Sequence, residues 1–151
     1  MKTLTSTVSE ITVSYYPSSL SKPTVTSSRD AHSIFREFFP ENTIHLQERF
    51  VVMYLNRCNR VIGVYPISQG GITGTVADIR LILSVALKVV CSNFLLCHNH
   101  PSGSLKPSKA DIELTSKIKE AAKYMDITLM DHLILSPEED QYLSFADEAL
   151  L

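Results

Sequence analysis

The spacing of apolar and polar positions changes several times along the chain, and each change predicts an element. In "SSRDAHSIFREFFP", Ala31, Ile34, Phe35 and Phe38 recur at helical intervals behind a cap-forming start, and Pro40 ends the run. "QERFVVMYLN" and "RVIGVYPI" are strand-like and separated by "RCN", which predicts a hairpin. Alternation puts Glu48, Phe50, Val52 and Tyr54 on one face of its first strand. After a glycine-rich stretch, "SQGGITGT", the positions Ile79, Ile82, Leu83, Ala86 and Val90 return to helical spacing. "NFLLCH" is too short for a helix and predicts a buried strand. "SKADIELTSKIKEAAKYMD" predicts a helix with Ile112, Ile118, Ala122 and Met125 along one side. "ITLMDHLILS" predicts a further strand, and "YLSFADEALL" closes the chain.

Helices that separate strands, with no internal repeat, predict an α/β sandwich of two or three layers around a mixed sheet. Residues 1–28 read as a Ser/Thr-rich lead, partly flexible, in which only "EITVSYY" alternates enough for a short strand. Residues 29–151 read as the domain proper.

Bulk properties narrow the function classes. A chain of 151 residues suits one domain. A net charge of −2 offers no concentrated cationic face, so stand-alone nucleic-acid binding is not expected. The first twenty residues contain no apolar run long enough for a signal peptide or a membrane span. Cys58, Cys91 and Cys97 are irregularly spaced and make no disulfide framework. The expected compartment is the cytoplasm, with no membrane partner.

Candidate chemistry concentrates in "HNHPSGSLKPSKAD". A strand ending at His98 and continuing extended puts His98 and His100 on the same side, a two-imidazole grip for a metal such as Zn²⁺. Pro101 and Gly103 turn the chain, and Ser108 opens the next helix. If the first turn of that helix faces back to the strand end, Asp111 completes a His-His-Asp set. Three protein ligands leave one tetrahedral position for water, the catalytic type of zinc site.

Each residue also has a plainer reading. Ser108 and Asp111 are spaced as a capping box, which needs no metal. Glu48, at the start of an apolar strand, is the best candidate for a base near the water, or else an exposed strand-edge acid. Cys97 points away from His98 and reads as a small buried hydrophobe. For Asp131 and His132 the first reading is structural, with His132 hydrogen-bonded at the sheet and Asp131 holding a loop, and a ligand role is the alternative. His32 and His45 lie outside any motif.

"HNHPSGSLKPSKADIELT", with "DITLMDHLILS" and "YLSFADEALL", resembles the RadC proteins, a bacterial branch of the JAB/MPN metalloprotease-like superfamily. The pattern H-x-H-x10-D with an embedded S-x-x-D is met by His98, His100, Ser108 and Asp111. Asp131-His132 and Ser144-Phe145 match finer details, and the resemblance runs from about Leu46 to Leu151. It implies a cytidine-deaminase-like α/β/α sandwich with a mixed sheet, and one Zn²⁺ per chain on His98, His100 and Asp111. It implies Glu48 as acid/base, Ser108 as a hydrogen-bond donor to the reacting oxygen, and hydrolysis of peptide or isopeptide bonds as in JAMM-type enzymes. The implied partner is a peptide or protein substrate, with a homodimer as an option for assembly.

Two departures stand out. Many RadC proteins carry an N-terminal helix-hairpin-helix-like region, whereas this chain has its short Ser/Thr-rich lead. The helix after "GITGT" keeps Arg80 but has Leu81 where the family usually places an acid. The rival reading is a DNA-repair or recombination accessory module whose zinc is structural or vestigial. The charge balance and the short lead weigh against it. Zinc deamination ranks lower still, because its Cys-x-x-Cys and His-x-Glu features are absent.

Overall fold

The computed structural model describes residues 7–18, 21–70 and 76–151. Among these residues five strands form one mixed sheet: β1 (Arg49–Leu55), β2 (Val61–Gln69), β3 (Asn93–Asn99), β4 (Thr128–Leu135) and β5 (Tyr142–Ser144). Their order across the sheet is β2-β1-β3-β4-β5. β1 is antiparallel to both β2 and β3, β3 runs parallel to β4, and β4 is antiparallel to β5.

The pattern of side chains follows from the layers. α1 (Ser28–Arg36) lies on one face, where Ala31 and Phe35 pack with Val51, Met53, Leu55, Leu95, Cys97 and Leu133. α2 (Ile79–Lys88) and α3 (Lys109–Lys123) cover the other face, against Phe50, Val52, Tyr54, Phe94 and Leu96. The molecule is therefore an α/β/α sandwich. β1, β3 and β4 are covered on both faces, which explains why they read as near-continuous apolar runs. β2, at the sheet edge, instead alternates, and it carries Pro66 opposite Val51 at a register shift.

Helix starts are set by side chains. Ser27 caps α1 by accepting from the Asp30 N–H, and Asp78 caps α2 by accepting from the Arg80 N–H. Arg80 reaches back to Asp78 at the surface, while Leu81 is half-buried on α2.

Three sequence expectations are corrected. Residues 10–16 form no strand, and Ile11, Val13 and Tyr16 are exposed. A bridge between Thr24 and Arg60, and a hydrogen bond from Lys22 Nζ to the Ile62 carbonyl at 3.2 Å, link the N-terminal part to the hairpin. The core nonetheless reaches back to Val25, which is buried with Phe35 and Phe39. On α3, which ends at Lys123 and so does not include Met125, Ile112 is exposed and the buried line is Thr115, Ile118 and Ala122; Met125, beyond the helix, is exposed too. In the glycine-rich stretch, Ser68 and Gln69 still belong to β2, and residues 71–75 lie outside the described ones. No helix among the described residues is long and apolar enough to cross a membrane.

Candidate metal centre

β3 delivers the two histidines. Phe94, Leu96 and His98 share the face under α2 and α3, and Cys97 faces the α1 layer, fully buried among apolar side chains. Beyond the last strand residue the backbone stays extended. The His100 N–H donates to the Leu135 carbonyl at 2.9 Å, so His100 projects on the same side as His98. A turn then reverses the chain, closed by the Gly103 N–H donating to the His100 carbonyl at 2.9 Å. Pro101 pre-sets the second position of that turn, and Gly103 supplies the φ of +85° that an L side chain rarely adopts.

The turn returns α3 with its N-terminus toward the histidines. The capping box is fully formed: the Asp111 N–H donates to Ser108 Oγ at 3.0 Å, and the Ser108 N–H donates to Asp111 Oδ2 at 2.8 Å. The same carboxylate meets both imidazoles, with Oδ1 3.4 Å from His98 Nε2 and Oδ2 3.3 Å from His100 Nε2. Capping and a site role are thus not alternatives at Asp111; the box aims the carboxylate. His98 Nε2 lies 3.0 Å from His100 Nε2, and the three ligand atoms all fall within 4.8 Å of one another.

These spacings fit a small cation. A tetrahedral ion with ligand distances of about 2.0–2.1 Å has ligand-to-ligand edges of roughly 3.3 Å; the two imidazole nitrogens stand 3.0 Å apart, and each has a different oxygen of the Asp111 carboxylate at 3.4 or 3.3 Å. The donor chemistry agrees. His100 gives its Nδ1–H to the Ser104 carbonyl at 2.7 Å, which leaves Nε2 to face the cluster. His98 is 2% exposed, whereas the His100 and Asp111 side chains are 12% and 18% exposed, so the cluster opens to solvent on the α3 side.

The electrostatics are those of a charge-sharing cluster. Burial favours the neutral acid at Asp111, yet contacts from His100 and His98 and the Ser108 N–H hold it well below the ordinary carboxylate range. Burial also works against a charged His100. The Asp111 hydrogen bond, the Ser104 carbonyl and the negative charges of Asp111 and Glu48 outweigh it and raise its pKa.

Glu48 stands next to this cluster. It immediately precedes β1 and is half-buried, and its carbonyl accepts from the Gly70 N–H at 2.8 Å. Phe50 pairs with His98 across the sheet, so stepping two residues outward on each strand brings Glu48 level with His100. Asn99, between the two histidines, fastens the segment that carries Glu48. Fully buried, it donates from Nδ2 to the carbonyls of Ile44 and Gln47 at 2.9 Å each, and Oδ1 accepts the Arg49 N–H at 2.7 Å.

Behind His98 lies a second group of residues that the sequence did not connect with it. His98 Nδ1 is 2.7 Å from His132 Nε2, and His132 Nδ1 is 2.6 Å from Thr115 Oγ1. Thr115 in turn donates to the Asp111 carbonyl at 2.6 Å. His132 is fully buried between Phe50 and Phe145, and burial, reinforced by the charge of His98, drives its pKa well below the ordinary value. A bulge explains its orientation. The register passes from Phe94 opposite Leu129 to Leu95 opposite Asp131, skipping Met130, and this turns His132 toward α3. Asp131 takes the loop-holding role expected of it. It accepts from Ser144 Oγ at 2.6 Å, the His132 N–H at 2.7 Å and the Ala146 N–H at 2.9 Å, tying the C-terminal turn to β4. The spacing of Thr115 four residues after Asp111 was the one available signal for its place beside the site.

Comparison with known proteins shows the family. Residues 25–150 match the RadC-like JAB domain, a stretch that extends past Leu46 to include α1. A UPF0758 protein of Flavobacterium johnsoniae is 43% identical over 126 residues, covering 83% of this chain and 53% of its own length. A UPF0758 protein of Porphyromonas gingivalis is 40% identical over 125 residues, covering 83% and 55%. One from Streptococcus gordonii is 42% identical over 102 residues, covering 68% and 44%. The chain spans about half the length of the curated relatives it matches. With its histidine pair, capped carboxylate and sandwich all in the matched stretch, the chain belongs to the family of RadC-like JAB domains.

Proposed function

We propose that the chain is a zinc-dependent hydrolase of peptide or isopeptide bonds, with the metal held by His98, His100 and Asp111. The observation that carries this reading is the convergence of His98 Nε2, His100 Nε2 and the Asp111 carboxylate, whose donor atoms all lie within 4.8 Å of one another. Zinc, when bound, supplies a Lewis acid that polarises a carbonyl oxygen and acidifies water.

The chain's own residues supply the rest. Glu48, close enough for its charge to act on His100, takes the proton of the attacking water and returns it to the leaving amine. Ser108 Oγ already accepts the Asp111 N–H, so its own hydrogen is free to donate to the oxygen of the reacting carbonyl. Asn99 keeps the segment bearing Glu48 registered against the strand that bears the histidines. In this reading the substrate is a peptide or protein and the compartment is the cytoplasm.

Elemental analysis of the purified chain tests the metal, with about one zinc per chain expected. A peptide and isopeptide cleavage screen tests the reaction. Once a substrate is in hand, Glu48→Gln should retain its zinc while turnover falls by about 10²-fold or more. A chain that takes up no zinc sinks the reading, and full turnover by Glu48→Gln removes Glu48 as the base.

A further inference from the structure

We propose that Thr115 and His132 are positioning residues that fix which nitrogen of His98 carries a proton, keeping the Nε2 lone pair aimed at His100 and Asp111. The direction of the hydrogen-bond chain forces this assignment. It ends on the Asp111 main-chain carbonyl, which can only accept, 2.6 Å from Thr115 Oγ1. The single hydroxyl hydrogen of Thr115 goes there, because two unprotonated oxygens at that distance repel.

With its hydrogen committed, Thr115 Oγ1 must accept from His132 Nδ1, 2.6 Å away. His132 therefore carries its proton on Nδ1 and presents a lone pair at Nε2. That lone pair lies 2.7 Å from His98 Nδ1, which must then be the donor. In its neutral form His98 is then left with Nε2 unprotonated on the side of the cluster. Burial excludes water from substituting at any step: Thr115 is 2% exposed, His98 2% and His132 not at all.

The chain of bonds also couples the two ends of the cluster. Asp111 contributes its carboxylate in front of His98 and, through its own carbonyl, sets the tautomer of His98 from behind. The remote partner of a ligating histidine is where metal sites are commonly tuned, and here that partner is a second, fully buried histidine. The use of the lone pair to hold zinc rests on the function proposed above; the tautomer itself does not.

The test is ring-nitrogen NMR of the full chain, with and without added zinc chloride, together with zinc titration against a competing chelator. In wild type, His132 should show a protonated Nδ1 and an unprotonated Nε2 in both states. Thr115→Val keeps the shape but orphans His132 Nδ1. It should shift His132 toward protonation at Nε2 and weaken zinc binding by about 10–100-fold. Thr115→Ser restores the hydroxyl and should recover both the wild-type tautomer and near wild-type zinc affinity. A wild-type His132 protonated at Nε2 overturns the proposal, as does a Thr115→Val variant with unchanged tautomer and zinc affinity. If wild type shows the expected tautomer yet binds no zinc, the proposed metal centre fails and the positioning of His98 stands.

Discussion

Replacing Asp111 with alanine is expected to weaken zinc binding by on the order of 100-fold or more while leaving a folded domain. Four-ligand zinc sites bind with about 10–16 kcal/mol, about 3 kcal/mol per ligand, which sets the scale for removing one donor. Asp111 is the only carboxylate of the set and faces both imidazoles. The structural cost is smaller. Half of the capping box is lost, on the order of 1 kcal/mol, and Ser108 still accepts at the N-cap. Zinc titration with a thermal melt separates the two effects, and unchanged affinity in the alanine variant would place the metal elsewhere.

The same cluster predicts opposite pH trends for the metal-free and zinc-loaded protein. Without metal, the raised pKa of His100 contributes stability that is present below its ordinary value of 6.5 and is lost as pH rises through the raised value. The depressed pKa of Asp111 contributes stability present above its ordinary value of 3.8 and lost only as pH falls through the lowered one. The pair therefore supports the metal-free fold best between about pH 4 and 6.5. Zinc must displace the His100 proton, so its affinity climbs over the range in which that support fades. Melting curves from pH 5 to 8 should diverge accordingly; parallel curves would mean that His100 does not face the metal.

The largest loss of stability is expected from Asp131→Ala. Its carboxylate receives three donors, from Ser144, His132 and Ala146, and Asp131 and Ser144 are both buried. Orphaned buried groups cost about 1–3 kcal/mol each, so a loss of about 2–4 kcal/mol follows, equivalent to a fall in Tm of roughly 5–15 °C. Asp131→Asn should be far milder. Its carbonyl oxygen still accepts the two backbone N–H groups, and the Ser144 hydroxyl can turn to accept from the new amide.

Burial raises the pKa of Asp131 in spite of its hydrogen bonds. The stability gained from the neutral acid is present below the ordinary value of 3.8 and lost as pH rises through the raised one. Wild type should accordingly lose ground to Asp131→Asn as pH increases from about 4. A substitution to asparagine as damaging as alanine would show that the charge itself is required.

The parts of the fold legible in the sequence were those in which local pattern and tertiary role coincide. β1 and β3 announced themselves as apolar runs because helices cover both their faces, and the capping box at Ser108 marked the start of α3. α3 was misread along its length because the line at 111, 115, 118 and 122 passes through polar residues. Asp111 and Thr115 occupy positions that an apolar stripe would fill, which left Ile112 looking like core. The segment 10–16 alternates, but no neighbouring strand pairs with it. The candidate ligand cluster of His98, His100 and Asp111 was legible because its members sit close together in sequence. The partners of His132 were not, since Thr115 is 17 residues away and His98 is 34, and the bulge that turns His132 toward them leaves no trace in composition.

The closeness of those ligands in sequence bears on the denatured chain. His98, His100 and Asp111 span fourteen residues, a length that even an unfolded segment brings together at modest entropic cost. Metal added to a denatured sample therefore still finds two imidazoles and a carboxylate within reach of one another. A ligand held by both states stabilises the native one only by the difference between its two affinities. Glu48, Thr115 and His132 join the cluster from outside that segment and only on folding. In the zinc-binding reading proposed above, the metal protects this fold from heat by less than its native-state affinity alone would give.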